Sequence, residues 1–325
     1  MVDVDILVVG AGPAGLFGAY YAGFRGLSVA VMDSLPEVGG QVSAMYPEKQ
    51  LYDVAGFPAV RGRDLVAGLV EQAAPYSPRY RLGETARDCS YDPGTGVVTV
   101  TTEAEEQITC GAVILTSGIG RFTPRPLPAA QEWQGAGVSF FVTSFDEYAD
   151  TDVVIVGGGD SAFDWALHLH AVARSVTLVH RRDTFRAHPG TVDRVLALDV
   201  DIRRRSQVSR LVGDTELEAV EITDLASKET TTVKAQKVVA ALGFRADLGP
   251  LTNWGLQMRD RYIEVDTTMQ TSLPRVYAAG DITDYPGKVR LIAVGFGEVA
   301  TAVNNAAVAL DPDASLFPGH YTDAG

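Results

Sequence analysis

The sequence predicts an α/β protein built from two similar three-layer units, the second inserted into the first. Three observations predict it. Strand, glycine turn, helix and strand follow one another over residues 4–33, and the same order returns over 152–180. A last strand and helix after residue 275 have no glycine turn of their own, so they complete the first unit. Alternation of this kind implies parallel sheets covered on both faces. With 325 residues, 46% apolar and 21% charged, the chain can bury a substantial core in each unit.

Val4 to Val9 is apolar except for Asp5 and reads as a strand buried on both faces. Gly10-Ala11-Gly12-Pro13-Ala14-Gly15 follows, then a helix to about Gly26 and a strand from Leu27 to Met32, closed by Asp33. Asp92 to Gly96 is a turn between β-rich runs, and Ala112 to Thr116 is a buried strand ending in Ser117-Gly118. Pro124, Pro126 and Pro128 read as a stiff connector. Asp152 to Val156 is the next strand, Gly157 to Ala162 the second turn, 161–173 a helix and Val176 to Val179 a strand. Further β-like runs lie near 203–222 and at Lys237 to Leu242. Arg275 to Ala279 is a short strand stopped by Gly280-Asp281, and 289–310 carries a helical pattern. The expected domains are 1–118 with 275–325, and 119–274, with hinges near 118–121 and 243–247.

Composition narrows the function. Lys and Arg number 27 against 41 Asp and Glu, a net charge of −14, which repels nucleic acid and anionic membranes. No 18 apolar residues run uninterrupted, and the N-terminus enters a strand without a basic leader, so a cytoplasmic protein with no membrane span is expected. The run Arg203-Arg204-Arg205 reads as a solvated face. Cys89 and Cys110 are the only cysteines, which excludes a disulfide scaffold and a four-thiolate zinc site. His168 and His170 project to different sides of their helix, so they share no metal, and none is expected.

Both glycine turns have the context of a Rossmann-like dinucleotide site: a strand before, a helix after, and a strand end about two dozen residues on. Gly10, Gly12 and Gly15 let the backbone approach a pyrophosphate at the helix N-terminus, with Pro13 and Ala14 in the turn, and Asp33 accepts ribose hydroxyls. At the same offset from Gly157 stands His180, followed by Arg181 and Arg182, with Arg186 close by. An acid there would repel a 2′-phosphate; guanidinium groups bind one. The second turn, with Gly157, Gly159, Asp160, Ser161 and Ala162, therefore reads as an NADP site and the first as an FAD site. Hydride then passes from NADPH to flavin N5, and no side-chain acid or base is obligatory.

Five segments carry a resemblance: Gly10–Gly15, Thr116-Ser117-Gly118, Gly157–Ala162, His180 to Arg186 and Tyr277-Ala278-Ala279-Gly280-Asp281. Together they resemble the thioredoxin-reductase-like flavoproteins over essentially the whole chain. That group carries a redox CxxC after a Gly-Val-Ser segment; here Phe141 and Ser144 stand where the thiols would be, and Gln41-Val42-Ser43-Ala44 has none either. Ala14 stands where bacillithiol-disulfide-type reductases have a cysteine. Without thiols, dithiol exchange is unavailable. Met45 to Pro58 and Leu291 to Glu298 then look like the ferredoxin–NADP reductases of thioredoxin-reductase type. The resemblance implies FAD held by Ala14, Asp33, Gln41, Tyr46, Ala86, Phe122, Gly280, Asp281 and Thr322, with the backbone at Ile292 and Ala293 facing the flavin pyrimidine. It also implies Tyr52 and His320 stacking on the flavin, with the tail supplied by a homodimer partner.

The expected activity is electron transfer between NADPH and ferredoxin or flavodoxin, by hydride transfer and one-electron release. An NADPH oxidase or quinone reductase, and a non-catalytic NADP-binding redox sensor, are the alternatives. Arg61, Arg63, Arg79 and Arg81 are candidates for a basic face toward an acidic carrier, with ordinary surface arginine as the alternative.

Overall fold

The computed structural model describes residues 2–131, 133, 135–317 and 319. The chain divides into Met1–Arg121 with Ala246–Gly325, and Phe122–Arg245.

In the first unit β1 (Val4–Val9) is buried almost throughout and leads through the glycine turn into α1 (Pro13–Phe24). Pro13 suits the first helical position, where its missing N–H is no loss. β2 (Val29–Asp33) returns parallel to β1, with Ile6 opposite Val29. A short α2 (Gln41–Met45), a hairpin of β3 (Gln50–Leu51) and β4 (Val60–Arg61), and α3 (Gly62–Ala73) follow. β5 (Arg79–Leu82) pairs with β2, and β6 (Ala86–Asp92), β7 (Val97–Thr102) and β8 (Gln107–Leu115) form an antiparallel meander. The sheet order is β5-β2-β1-β8-β7-β6, so β8 serves both β1 and β7.

β9 (Arg121–Pro124) begins where the chain leaves this unit. β10 (Val138–Ser139) precedes β11 (Asp152–Val156), α4 (Asp160–Leu169), β12 (Ser175–Val179), α5 (Pro189–Leu196) and β13 (Asp201–Arg203). β14 (Ser206–Gly213), β15 (Leu217–Asp224) and β16 (Thr230–Lys234) make a separate antiparallel sheet. β17 (Lys237–Ala240) returns to the parallel sheet, whose order is β10-β17-β11-β12-β13. β18 (Phe244–Asp247) pairs with β9, so Pro124, the first proline of the expected stiff connector, ends a paired strand.

The return to the first unit comes at Ala246, not near 275. Leu248, Leu251, Trp254, Leu256 and Ile263 pack into one core with Val98, Val100 and Cys110, and Trp254 Nε1 donates to Arg87 O at 2.8 Å. This segment has no glycine turn or long apolar run, so its sequence did not mark it as first-unit core. β19 (Met258–Arg259) and β20 (Tyr262–Glu264) follow, and β21 (Val276–Ala278) pairs parallel with β8. β22 (Thr283–Asp284) pairs with β20, and α6 (Ile292–Leu310) closes the unit. By length and composition α6 could cross a membrane, which the test of uninterrupted apolar runs missed. Its Val299, Ala302, Val303 and Ala306 instead join Ile6, Val8 and Ala19 in a core. In the second unit α4 stops at Leu169, short of the expected 173.

Candidate functional site

The first glycine turn is packed tightly on one side and open on the other. Gly10 has φ +118°, and a Cβ there would lie 2.6 Å from the backbone of Thr116. A Cβ on Gly15 would lie 1.8 Å from Gly10 O, so only glycine lets α1 approach the turn this closely. Thr116 Oγ1 donates to Gly10 O at 2.7 Å and Ser117 Oγ to Val9 O at 2.9 Å, tying the end of β8 to the turn. Gly12 differs: nothing lies within 4 Å of its would-be Cβ. Asp33 closes the rim, its Oδ2 accepting the Ala11 N–H at 2.6 Å and its Oδ1 the Leu35 N–H at 2.8 Å. The Ser34 N–H also bonds this carboxylate, which leaves it part of its accepting capacity. Burial pushes the Asp33 carboxyl above its ordinary range against the pull of these bonds.

A second wall meets this turn. A Cβ on Gly280 or on Gly295 would lie 3.4 or 3.6 Å from Ala14 Cβ, so the starts of α1 and α6 and the end of β21 converge with almost no side chain between them. The first N–H groups of α6, at Ile292 and Ala293, have no acceptor one turn back. Burial raises the Asp281 carboxyl, while Lys288 and Arg290 pull it down. Tyr46, also buried, is pushed up to about 12, with Asp281 and Asp53 adding to the shift. Gln41 Nε2 lies 2.7 Å from where Gly118 would carry a Cβ.

Glu298 and Lys288 hold this corner, and sequence reasoning missed both. The Lys288 side chain is 2% and that of Glu298 5% exposed. Glu298 Oε2 accepts the Gly280 N–H and Lys288 Nζ, both at 2.7 Å, while Oε1 accepts Tyr285 Oη at 2.5 Å. Lys288 Nζ also donates to Gly280 O at 2.9 Å. Gly280 is held in its left-handed conformation (φ +82°) by both of its polar groups. The lone Glu of Gly297-Glu298 inside an apolar helix was the available signal. Replacing Lys288 with Met strands a buried carboxylate, and urea unfolding is expected to show a loss of about 3 kcal/mol. Adding Glu298→Gln to that variant should recover part of it.

The second turn repeats the plan with different ends. A Cβ on Gly157 would lie 2.5 Å from Ala241 O, and again nothing lies within 4 Å of the would-be Cβ of Gly159. Asp160 and Ser161 open α4, and Asp160 Oδ1 accepts the His188 N–H at 2.8 Å. Ala162 is fully buried where the first turn has Gly15. His180 fills the place of Asp33: its ring would lie 2.2 Å from a Cβ on Gly158, and its Nε2 contacts Thr184 O at 3.1 Å. Burial, with Arg182 and Arg181 beside it, holds the imidazole pKa below its ordinary value. The Arg186 N–H donates to Gly158 O at 2.8 Å. Arg181, Arg182 and Arg186 are exposed and form no salt bridge among the described residues.

The other expected residues fall unevenly. Ala86 is buried in the core with Val9 and Met32, so only its backbone is available. Phe122 belongs to the second unit, edge-on to Phe141 at 5.9 Å and to Phe244 at 6.3 Å. Tyr52 is 73% exposed, open to stacking. His320 and Thr322 lie outside the described residues.

Residues 4–307 match the family described as pyridine nucleotide-disulphide oxidoreductase. The chain belongs to that family. It is 61% identical over 324 residues to a ferredoxin–NADP reductase of Nocardioides sp., covering 99% of this chain and 98% of the other. It is 60% identical to a ferredoxin–NADP reductase of Salinispora arenicola, covering 99% of each. Among solved structures, the T. acidophilum thioredoxin reductase is similar, with a TM-score of 0.76 at 27% identity over 96% of this chain and 99% of that one.

For a member of the pyridine nucleotide-disulphide oxidoreductase family the sulfur chemistry is telling. Both cysteines are free thiols, Cys89 partly and Cys110 fully buried, and burial pushes each up to about 12. Neither is a thiolate near neutral pH, so neither is a competent nucleophile. No group of three or more His, Cys, Asp or Glu suited to a metal occurs among the described residues. Of the four candidates for a basic face, three are neutralised, in keeping with the alternative of ordinary surface arginine: Arg61 pairs with Glu48 and Asp64, Arg63 with Glu48, and Arg81 with Glu84 and Glu106.

Proposed function

We propose that this family member is a ferredoxin–NADP reductase that binds FAD at the first turn and NADP(H) at the second. The observation that carries the assignment of the two turns is the change at the strand end, from Asp33 to His180 followed by Arg181 and Arg182. The full-length relatives named ferredoxin–NADP reductase support the activity. The fit to nucleotides rests on Gly12 and Gly159, the two motif glycines whose outward side is clear of protein.

Bound FAD would supply the hydride-accepting and one-electron-donating chemistry that side chains lack. The chain's own residues bind and orient. Gly10 to Gly15 would bring N–H groups and the α1 N-terminus to the pyrophosphate, and Asp33 would take the ribose hydroxyls. Asp281 would hold the ribityl chain, on a corner fixed by the Lys288–Glu298 pair. The free N–H groups at the start of α6 would face the flavin pyrimidine and stabilise negative charge there. Arg181 and Arg182 would bind the 2′-phosphate, and the neutral imidazole of His180 leaves that space without an acid.

The deciding experiment is NADPH-driven reduction of cytochrome c with and without ferredoxin, after anaerobic bleaching of the yellow protein by NADPH. Acceleration by ferredoxin is the expected result. Bleaching without acceleration would point to an oxidase or quinone reductase, and a colourless protein to a sensor. Because the thiols are buried and protonated, the Cys89→Ala, Cys110→Ala double variant is expected to keep the full rate; its loss would restore a thiol relay. Flavodoxin is proposed as a second carrier, and the cytoplasm as the site of action. We further propose a homodimer, for which light scattering at the mass of a single chain would be the contrary result.

A further inference from the structure

The run Arg203-Arg204-Arg205 does not behave as one solvated stripe. Arg203 pairs with Asp201 at 2.8 Å and donates to Thr231 Oγ1 at 2.6 Å. Arg204 turns the other way, its Cζ 4.7 Å above the ring centroid of Phe185 and its Nη1 3.5 Å from Asp183 O. Phe185 is itself fixed, meeting Phe163 edge-on at 4.6 Å, and Phe163 is fully buried in α4.

The turn that carries Arg204 is stitched to the segment that carries Arg181 and Arg182. The Arg205 N–H donates to Arg182 O at 3.2 Å and the Ser206 N–H to His180 O at 3.0 Å. Arg205 sits in the left-handed region at φ +48°, which lets the chain reverse there. The turn bearing Arg204 is thus bonded to the segment that carries Arg181, Arg182 and Arg186, within the second unit. None of them has a carboxylate partner among the described residues, in a chain whose net charge is −14.

We propose that Arg204 is a further specificity residue for the 2′-phosphate, lying outside the motif that runs from His180 to Arg186. The inference rests on the reading of the second turn as an NADP(H) site. Stacking on an aromatic ring fixes the guanidinium plane and leaves most of its five N–H donors for an anion. Phosphate accepts such paired donors, and a preoriented one loses little freedom on binding. Arg204 therefore helps to separate nucleotides that carry the extra phosphate from those that lack it.

The test is calorimetric titration of the full-length holoprotein with 2′,5′-ADP and with ADP, neither of which can reduce it. Wild type is compared with Arg204→Ala, Arg204→Lys and the Arg181→Ala, Arg182→Ala double variant. Arg204→Ala should lower the preference for 2′,5′-ADP over ADP about tenfold, the scale of one charged hydrogen bond. Arg204→Lys, which keeps the charge and loses the stacked plane, should fall between the two. Arg204 is exposed, and an unchanged melting temperature would exclude a folding defect. A preference within twofold of wild type in Arg204→Ala, with loss in the double variant, would overturn the role of Arg204 and leave the NADP(H) reading standing. No preference in the wild type would overturn the reading itself.

Discussion

A Gly12→Val variant is expected to fold normally and to emerge from purification without FAD. The two halves of that result have separate causes. Gly12 has φ −70° and ψ −179°, extended backbone that any residue adopts, and nothing in the protein lies within 4 Å of its would-be Cβ. The fold therefore has no reason to object, and thermal unfolding of the apoprotein should change by no more than about 0.5 kcal/mol. The new side chain occupies the face through which a pyrophosphate reaches the turn. Losing two charge-assisted bonds from backbone N–H groups weakens binding roughly a hundredfold or more. Fluorimetric titration of apoprotein with FAD measures it, and wild-type affinity in the variant would remove the first turn from the cofactor site. Gly15→Ala is the instructive contrast, because its methyl group would strike Gly10 O at 1.8 Å and the fold itself would suffer.

Replacing Arg181 and Arg182 together with alanine should raise the KM for NADPH roughly a hundredfold or more, with a far smaller effect on NADH. Two charged hydrogen bonds to phosphate contribute about 1.5–3 kcal/mol each. Both side chains are exposed and serve no described ion pair, so stability should scarcely change. Steady-state kinetics with both nucleotides separates the possibilities, and equal losses would mean that the arginines do not read the 2′-phosphate. The preference should also fade as salt rises, since exposed charges are screened within about 8 Å at physiological ionic strength.

The sequence was most readable where local physics dominates. β1 and β11 span the residues expected of them, and both glycine turns sit between the expected strand and helix. The substitution of His180 for an acid was visible by counting alone. What stayed hidden depended on contacts between distant parts of the chain. The segment from Ala246 to Leu273 carries no periodic signature, and only its packing beneath β6 and β7 reveals its unit. Lys288 and Glu298 looked like unremarkable charges until the fold buried them against Gly280. Arg204 is exposed, as the run suggests, but a three-residue run says nothing about which member lies over an aromatic ring.

The pairing of β21 with β8 has a consequence in time. Val113, Ile114 and Leu115 take Val276, Tyr277 and Ala278 as neighbours, yet the whole of Phe122–Arg245 is translated between them. While the ribosome makes that insertion, the nascent first unit carries an open, apolar strand margin and lacks the helix that covers it. The inserted unit has all its strands and can fold first. Late closure of this margin over a long stretch of chain is slow by its topology, and it marks where a chaperone would be needed during synthesis.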